Sequence, residues 1–280
     1  MPALLISPAE LRDLLQASRP RLVDTRWKLG DPAYGRATFA AGHIPGAIYL
    51  DMDRDLAGPP GGPGGRHPIP SADAFSDTMS GAGIDRDTLV VGYDAGDGIG
   101  AARLWWLLRH FGHDPDRVSV LDGGYAAWIA AGHDTAAGPA ERPASRAFHA
   151  RERADDVIGT EELGRQLEGG SLLLLDARAP ERWRGTAEPL DPKPGRIPGA
   201  VNAPATQNLA AGHLRSAEEL RAHYTELGVV DPAGVAVSCG SGVSACLDLL
   251  GLELAGLRGA RLYPPSYSGW VASELPVERG

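Results

Sequence analysis

Cysteine is scarce in this chain, with Cys239 and Cys246 the only two among 280 residues. Two thiols cannot form the disulfide framework of a small secreted domain, and neither a C-x-x-C pair nor an H-E-x-x-H motif marks a zinc site. Long apolar runs are also missing, since no window reaches the roughly 18 apolar residues that a membrane span needs. The sequence therefore predicts free thiols and no membrane partner.

Clustered positive charge is missing as well. The net charge is −9, and no run of five or more basic residues occurs, so the electrostatic pattern of a nucleic-acid-binding protein is absent. The first residues lack the cationic segment and apolar core of a secretion signal. We therefore expect a cytoplasmic protein that does not bind nucleic acid.

What the chain does contain is an internal repeat at an offset of about 153 residues. Short apolar strands, Ile-Pro-Gly turns and glycine-bearing loops recur in the same order in both halves. The pairs are 21-RLVDTRW-27 with 172-LLLLDAR-178, 43-HIPGAIYLD-51 with 196-RIPGAVNAP-204, and 89-LVVGYD-94 with 235-VAVSC-239. In the last pair Asp94 stands where Cys239 stands, so one half lacks the cysteine.

The order of these segments predicts the fold. Strands alternate with helices in each half, which favours two homologous α/β domains, each a mostly parallel central sheet flanked by helices. We place the first domain at residues 1–135, a linker rich in Pro, Ala and charge at 136–156, and the second domain at 157–280. Residues 57–73 are so rich in Gly and Pro that they are expected to form a long loop inside the first domain, without a legible function.

Cys239 is the candidate for chemistry. It ends an apolar strand and is followed by 240-GSGVS-244 and a predicted helix, the place where open α/β sheets bind their ligands. Two glycines allow successive N–H groups to point at the sulfur, and the helix adds its positive N-terminal end. A thiolate, the reactive form of cysteine, would be stabilised there. The alternative is a small buried core residue, which is the interpretation we favour for Cys246.

A phosphatase-like function is a further alternative for such a loop. Phosphatases and arsenate reductases that use a cysteine in an anion-binding loop carry an arginine six residues after it. Here that position is Ala245, so the bidentate grip on a phosphate dianion is missing. The sequence therefore argues against phosphate chemistry.

Taken together, the motifs resemble the tandem-domain sulfurtransferases of the rhodanese superfamily, in particular its 3-mercaptopyruvate and thiosulfate sulfurtransferases. The matching segments extend over nearly the whole chain: 24-DTRW-27, 42-GHIPGAIYLD-51, 101-AARLWWLLRHFGH-113, 182-RWRGTAEPLDP-192, 197-IPGAVN-202, 239-CGSGVSAC-246 and 262-LYPPSYSGW-270. The resemblance implies an inactive first domain, a catalytic second domain and sulfur transfer through a persulfide on Cys239. It implies neither a metal nor an organic cofactor.

The resemblance also assigns roles to individual residues. Cys239 is the catalytic nucleophile, Ser241 assists proton transfer, and Arg182 binds the negative group of the donor. The remaining donor-binding residues, through their backbone N–H groups, are Gly240, Gly242, Val243 and Ser244. His43 resembles a first-domain histidine proposed for a proton relay, although a histidine at a turn serves equally to orient its loop.

The identity of the donor rests on charge. An uncharged loop after Cys239 favours a donor with a single carboxylate, 3-mercaptopyruvate, over the dianion thiosulfate. Against this, Asp191 occupies a position where mercaptopyruvate enzymes often carry a second arginine, nine residues after Arg182. Other departures from the family pattern are Arg196 for histidine, and Pro265, Tyr267 and Gly269 for glycine, tryptophan and glutamate.

Two other functions remain open at this point. One is a thiosulfate sulfurtransferase, and the other is a non-enzymatic sulfur carrier or redox-sensing binding protein that uses the same fold. For the enzyme, the expected partners are a small-molecule sulfur donor and a thiol, thioredoxin-like or cyanide acceptor.

Overall fold

The computed structural model describes residues 3–140 and 143–280. Residues 141 and 142, which belong to the predicted linker, and residues 1 and 2 lie outside this description. The chain divides into two compact units. The first comprises residues up to Gly58, Pro70–Arg153 and Ala211–Leu214, and the second comprises Pro59–Ile69, Ala154–Ala210 and Arg215–Gly280.

The first unit alternates strands and helices, as its sequence predicts. Its strands are β1 Leu5–Ile6, β2 Arg21–Asp24, β3 Ile48–Tyr49, β4 Val90–Tyr93 and β5 Val118–Leu121. Its helices are α1 Pro8–Ala17, α2 Tyr34–Ala41, α3 Ala72–Gly81, α4 Ile99–His110 and α5 Gly124–Ala130. The strands form one parallel sheet in the order β1-β5-β4-β2-β3. Every residue of β4 and β5 is buried, which agrees with their largely apolar sequence.

The second unit repeats this plan. Its helices are α6 Thr160–Glu168, α7 Pro180–Arg184, α8 Ala217–Glu226, α9 Ala245–Leu254 and α10 Ser266–Ala272. Its sheet consists of β6 Leu173–Asp176, β7 Val201–Asn202, β10 Val235–Ser238 and β11 Arg261–Leu262, and two short strands, β8 Leu209–Ala210 and β9 His213–Leu214, lie between β7 and α8 in the sequence. The parallel order β11-β10-β6-β7 matches β5-β4-β2-β3 of the first unit. The predicted pair of α/β domains with parallel sheets is thereby confirmed.

Two helix starts follow directly from local sequence. Ser7 caps α1 and Ser216 caps α8, and each is followed three residues later by a glutamate. In both cases the serine side chain accepts the glutamate N–H while the glutamate carboxylate accepts the serine N–H. These capping boxes satisfy donors that the first turn of a helix leaves free.

The repeat extends to side chains. Arg26 binds Asp24 and the Gly42 carbonyl in the first unit, and Arg178 binds Asp176 and the Gly195 carbonyl in the second. Each buried pair ties the end of a central strand to the turn before Ile-Pro-Gly. Burial alone would lower the pKa of Arg178, but Asp176 and Glu188 outweigh that effect and raise it. The guanidinium therefore stays charged within the second unit.

Most of the predicted linker packs on the first unit. Arg146 N–H donates to the Ser80 carbonyl, and Arg151 N–H donates to the Phe111 carbonyl. Phe148 between them is buried, at 3% exposure, and packs edge-on against Phe75. Residues 143–153 therefore follow the surface of the first unit in a fixed course.

None of the described helices is long and apolar enough to cross a membrane.

A buried polar cluster joins Asp248 of α9 to Asn208 and to Tyr224 of α8. The Asp248 carboxylate accepts a hydrogen bond from Asn208 Nδ2 at 2.6 Å, and Asn208 Oδ1 accepts one from the Tyr224 hydroxyl at 2.6 Å. The other carboxylate oxygen of Asp248 is buried and has no hydrogen-bond partner within residues 3–140 and 143–280. Burial, together with the nearby Cys239 and Asp176, raises the pKa of Asp248 well above its ordinary value.

We predict that Asp248 makes stability depend on pH. The folded protein holds the proton of the Asp248 carboxyl more tightly than the unfolded chain does. This proton binding therefore stabilises the fold fully below the unfolded pKa of about 4, and the stabilisation is lost as pH rises through the folded pKa. The Asp248→Asn variant cannot ionise, so its free energy of unfolding should rise relative to wild type by up to about 1.4 kcal/mol per pH unit in that window. Denaturation of wild type, Asp248→Asn and the exposed control Asp87→Asn between pH 4 and 7 tests this; parallel curves for all three would contradict it.

Candidate active site

Cys239 lies between β10 and α9, at the carboxyl end of a strand inside the second sheet. Its side chain is almost fully buried, at 2% exposure, and its own N–H donates to Ser266 Oγ at 3.0 Å. Gly242, three residues on, has a φ of +82°, and a Cβ there would lie 2.6 Å from the Pro264 carbonyl oxygen. Only glycine fits this turn without strain, so the glycine after Ser241 is required for the shape of the loop.

The loop turns its backbone donors toward the sulfur. Cys239 Sγ accepts the N–H of Gly242 at 3.1 Å and the N–H of Ser241 at 3.4 Å. Two converging N–H groups ahead of a helix N-terminus form an arrangement that stabilises negative charge on the atom they surround. The backbone N–H groups that point at the sulfur of Cys239 are thus those of residues 241 and 242.

The remaining loop residues serve the start of α9. Ser244 precedes the first helical residue, and the buried Val243 accepts the N–H of Cys246 at its carbonyl. Cys246 is fully buried, and its thiol donates to the Gly242 carbonyl at 3.4 Å. Its burial agrees with the core position that its place on the helix predicts.

The first unit has an equivalent loop that surrounds a carboxylate side chain. The Asp94 carboxylate accepts the N–H groups of Gly96 at 2.9 Å, Gly98 at 3.1 Å and Ala101 at 3.1 Å. A nearby carboxyl responds to this charge: burial and then Asp94 raise the pKa of Asp97 to about 6. The same backbone loop therefore surrounds a carboxylate in one unit and a thiol in the other, which indicates a geometry suited to anions.

The principal residue that sequence reasoning missed is His67. Its Nδ1 lies 2.8 Å from Ser241 Oγ, and both groups are buried. His67 is in the Gly/Pro-rich loop. The sequence predicts this loop inside the first domain, but residues 59–69 of it belong to the second unit, because they pack against α10. The available signal was a histidine at the end of a loop too long for a simple connection.

Two glycines let that loop lie against α10. A Cβ on Gly65 would lie 2.6 Å from the Pro265 carbonyl oxygen, and a Cβ on Gly269 would lie 2.5 Å from the Pro63 carbonyl oxygen. Arg66 N–H then donates to Ser268 Oγ at 3.1 Å. The departure from the family pattern at Gly269 is therefore explained: a side chain there would displace the loop that carries His67.

His43, the other histidine considered from sequence, makes its contacts in the first unit. Its Nδ1 lies 2.8 Å from the Phe39 carbonyl oxygen, and its ring stacks on Phe39 with a centroid distance of 3.9 Å. Its backbone pairs with Ala136 in both directions. These are the contacts of a histidine that orients its turn, the alternative to a proton relay.

Arg182, on α7, lies beside the cysteine loop. A Cβ on Gly240 would be 3.2 Å from Arg182 Nη1. The guanidinium also binds Glu188 at 2.7 Å and Asp191 at 3.2 Å. Burial alone would raise the pKa of Glu188, but Arg182 lowers it below its ordinary value. Arg182 is thus a cation held beside Gly240 by two ion pairs rather than a solvated surface charge.

Two other departures from the family pattern, Arg196 and Tyr267, have structural roles. Arg196 pairs with Glu278 and stacks on the Trp183 ring at 4.1 Å. The Lys193 carbonyl accepts the Tyr267 hydroxyl at 2.7 Å. The Arg178 guanidinium in turn lies over the Tyr267 ring, with its central carbon 3.9 Å from the centroid of that ring. Tyr267 therefore keeps an aromatic ring against a buried cation.

Comparison with known proteins places this chain in a family. Residues 7–131 and 159–273 each match the rhodanese-like domain. The chain therefore belongs to the rhodanese family, as its motifs predict, and contains two copies of the domain.

Relatives and solved structures agree over nearly the full length. The chain is 40% identical over 283 residues to a probable 3-mercaptopyruvate sulfurtransferase of Pseudomonas aeruginosa, covering 99% of both chains. It is 37% identical over 282 residues to a putative thiosulfate sulfurtransferase, SseB, of Mycobacterium tuberculosis, covering 99% of this chain and 97% of the relative. The crystal structure of SseA from Escherichia coli, a 3-mercaptopyruvate sulfotransferase, superposes with a TM-score of 0.83 at 28% identity, covering 95% of this chain and 100% of that one.

We predict that Gly269→Ala displaces the loop that carries Arg66 and His67. The added methyl group would meet the Pro63 carbonyl, and overpacking of this kind costs about 1–3 kcal/mol. Amide hydrogen exchange in residues 61–67 should therefore accelerate. The matched control is Gly164→Ala on α6, where a Cβ has open space and should stabilise the helix by about 0.5–1 kcal/mol. Unchanged exchange in residues 61–67 of Gly269→Ala would contradict the prediction.

Proposed function

We propose that this protein is a sulfurtransferase that moves a sulfane sulfur from 3-mercaptopyruvate to a thiol or cyanide through a persulfide on Cys239. The observation that carries the proposal is that two backbone N–H groups donate to Cys239 Sγ, at 3.1 and 3.4 Å. The family membership and the names of the relatives support the same chemistry. The enzyme acts as a soluble cytoplasmic protein.

The first half-reaction forms the persulfide. The Cys239 thiolate attacks the sulfur of 3-mercaptopyruvate, and a sulfur–sulfur bond forms as the carbon–sulfur bond breaks. The bonding electrons go to carbon, which takes up a proton and leaves as pyruvate. The hydrogen-bonded pair of Ser241 and His67 provides a route for protons to and from the site.

The second half-reaction returns the thiolate. An acceptor thiolate or cyanide attacks the outer sulfur of the persulfide, and the sulfur–sulfur bond breaks with its electrons returning to Cys239. The N–H groups of Ser241 and Gly242 stabilise negative charge on sulfur in both halves of the cycle. A covalent intermediate divides one difficult transfer into two easier ones.

The donor preference follows from charge. The loop 240–244 presents no cationic side chain, and Arg182 is already paired with Glu188 and Asp191. A donor with one carboxylate needs less positive charge than thiosulfate does. The name of the Mycobacterium tuberculosis relative keeps thiosulfate as the second candidate donor.

The test compares both donors, with cyanide as acceptor, on wild type and Cys239→Ser. We expect turnover of 3-mercaptopyruvate by wild type and a loss on the order of 10³-fold or more in the variant, because the nucleophile is removed. Mass spectrometry after donor treatment should locate one added sulfur on Cys239. Turnover of neither donor would leave the sulfur-carrier function as the explanation, and added sulfur on Cys246 would reassign the nucleophile.

We further predict that His67 and Ser241 act as a unit. Removing either one breaks the same hydrogen bond, so His67→Ala and Ser241→Ala should each lower kcat by about 10²-fold, and the double variant should lose little more. The control is His149→Ala, a change at an exposed histidine of the first unit. Additive losses in the double variant would contradict a shared function.

A further inference from the structure

Two guanidinium groups meet beside the residue that follows the proposed nucleophile. A Cβ on Gly240 would lie 2.8 Å from Arg66 Nη2 and 3.2 Å from Arg182 Nη1. Arg182 comes from α7, whereas Arg66 comes from the Gly/Pro-rich loop held by Gly65 and Gly269. The structure thus brings a second cation to the site from a segment far away in sequence.

Asp191 joins the two cations. One carboxylate oxygen binds Arg66 Nη1, and the other lies 3.2 Å from Arg182 Nη2. The Asp191 side chain is only 3% exposed. Burial raises the pKa of Asp191, while the adjacent Arg66 opposes that shift. Its charge is thus held in place by the two arginines it bridges.

Arg66 retains an unused hydrogen-bond donor. Its Nε is buried and has no hydrogen-bond partner among the described residues. Proteins rarely leave a buried N–H donor unsatisfied, because the hydrogen bond that it loses to water is then not replaced. An anion beside Gly240 would give this guanidinium the partner it lacks.

The charges around this point balance without any ligand. Three arginines and three carboxylates of the second unit form one connected set of ion pairs: Arg66, Arg178 and Arg182 with Asp176, Glu188 and Asp191. In the proposed reaction, the Cys239 thiolate adds one negative charge to this set. Each further negative charge on a donor is therefore unfavourable at a partly buried site.

We propose that Arg66, together with Arg182, binds the carboxylate of the sulfur donor, and that Asp191 between them restricts the site to donors with a single negative charge. This proposal rests on the sulfurtransferase function proposed above and names the residues that select its substrate. Arg66 is a donor-binding residue, and Asp191 is a positioning residue that acts through both arginines. The Gly/Pro-rich loop gains a purpose, which is to deliver Arg66 and His67 to the site.

Binding without turnover tests this independently of the reaction. Calorimetry on the Cys239→Ser protein would use pyruvate as the monoanion and sulfate as the dianion. Adding Arg66→Ala should weaken pyruvate binding by about 10-fold or more, and Arg66→Lys should recover part of the loss, because lysine keeps the charge but not the forked geometry. Adding Asp191→Asn should tighten sulfate binding by about 10-fold while changing pyruvate binding much less. Arg184→Ala, at an exposed arginine on the same helix as Arg182, is the matched control.

Turnover by the same substitutions in the Cys239-containing enzyme gives the second readout. Arg66→Ala should raise KM for 3-mercaptopyruvate more than it lowers kcat, whereas a displaced His67 would lower kcat. Asp191→Asn should raise the ratio of kcat/KM for thiosulfate to that for 3-mercaptopyruvate by about 10-fold.

Two results would overturn the inference. Pyruvate binding unaffected by Arg66→Ala, in a variant with wild-type Tm, would remove Arg66 from the site. Equal effects of Asp191→Asn on sulfate and pyruvate would remove the charge selection. Failure of the proposed function is a separate outcome. If the wild-type enzyme were inactive toward both donors, the binding experiment would still show whether Arg66 and Asp191 control an anion site.

Discussion

The second unit depends on a few backbone N–H groups that point at one sulfur atom. A loop that folds back on its own strand end requires a left-handed residue, and the Pro264 carbonyl leaves room only for Gly242 at that point. Once the loop has this shape, Ser241 and Gly242 direct their N–H groups toward Cys239 Sγ. The Asp94 carboxylate held by the equivalent loop of the first unit indicates that the backbone, more than the residue it surrounds, creates the preference for an anion.

A second constraint is the close approach of the Gly/Pro-rich loop to α10. Gly65 and Gly269 allow two backbones to meet where any side chain would collide with a carbonyl oxygen. The result is that consecutive residues, Arg66 and His67, reach two different parts of the same loop, Gly240 and Ser241. Rigid glycine-dependent contact is well suited to this task, because a proton pathway and an anion site both need fixed geometry.

Electrostatics then defines what the site accepts. Arginines and carboxylates around the cysteine loop pair with one another, and the buried Asp191 occupies a position where the family pattern has a cation. Taken alone, an aspartate at that position predicts weaker binding of the sulfur donor. In the structure, Asp191 instead holds two arginines together, so the loss of one cation is offset by the arrival of another from residues 59–69.

Much of this was predictable from the sequence. The internal repeat identified two α/β units and paired their strands, and the apolar strand, glycine loop and helix marked Cys239, because these patterns are local and each follows from backbone chemistry. Cys246 on the apolar face of its helix was equally legible. His67 and Arg66 were not, since a Gly/Pro-rich segment has no periodicity, and nothing in it states which unit it packs against.

The sequence by itself determined the alternation of strands and helices in both halves, the anion loop and the one half that carries a cysteine, since these follow from patterns of neighbouring residues along the chain. Only the tertiary structure decided which histidine meets Ser241 and which arginine joins Arg182, because those contacts join residues more than a hundred positions apart. Such contacts depend on close backbone packing at Gly65 and Gly269, a property of the folded chain that composition and spacing do not encode.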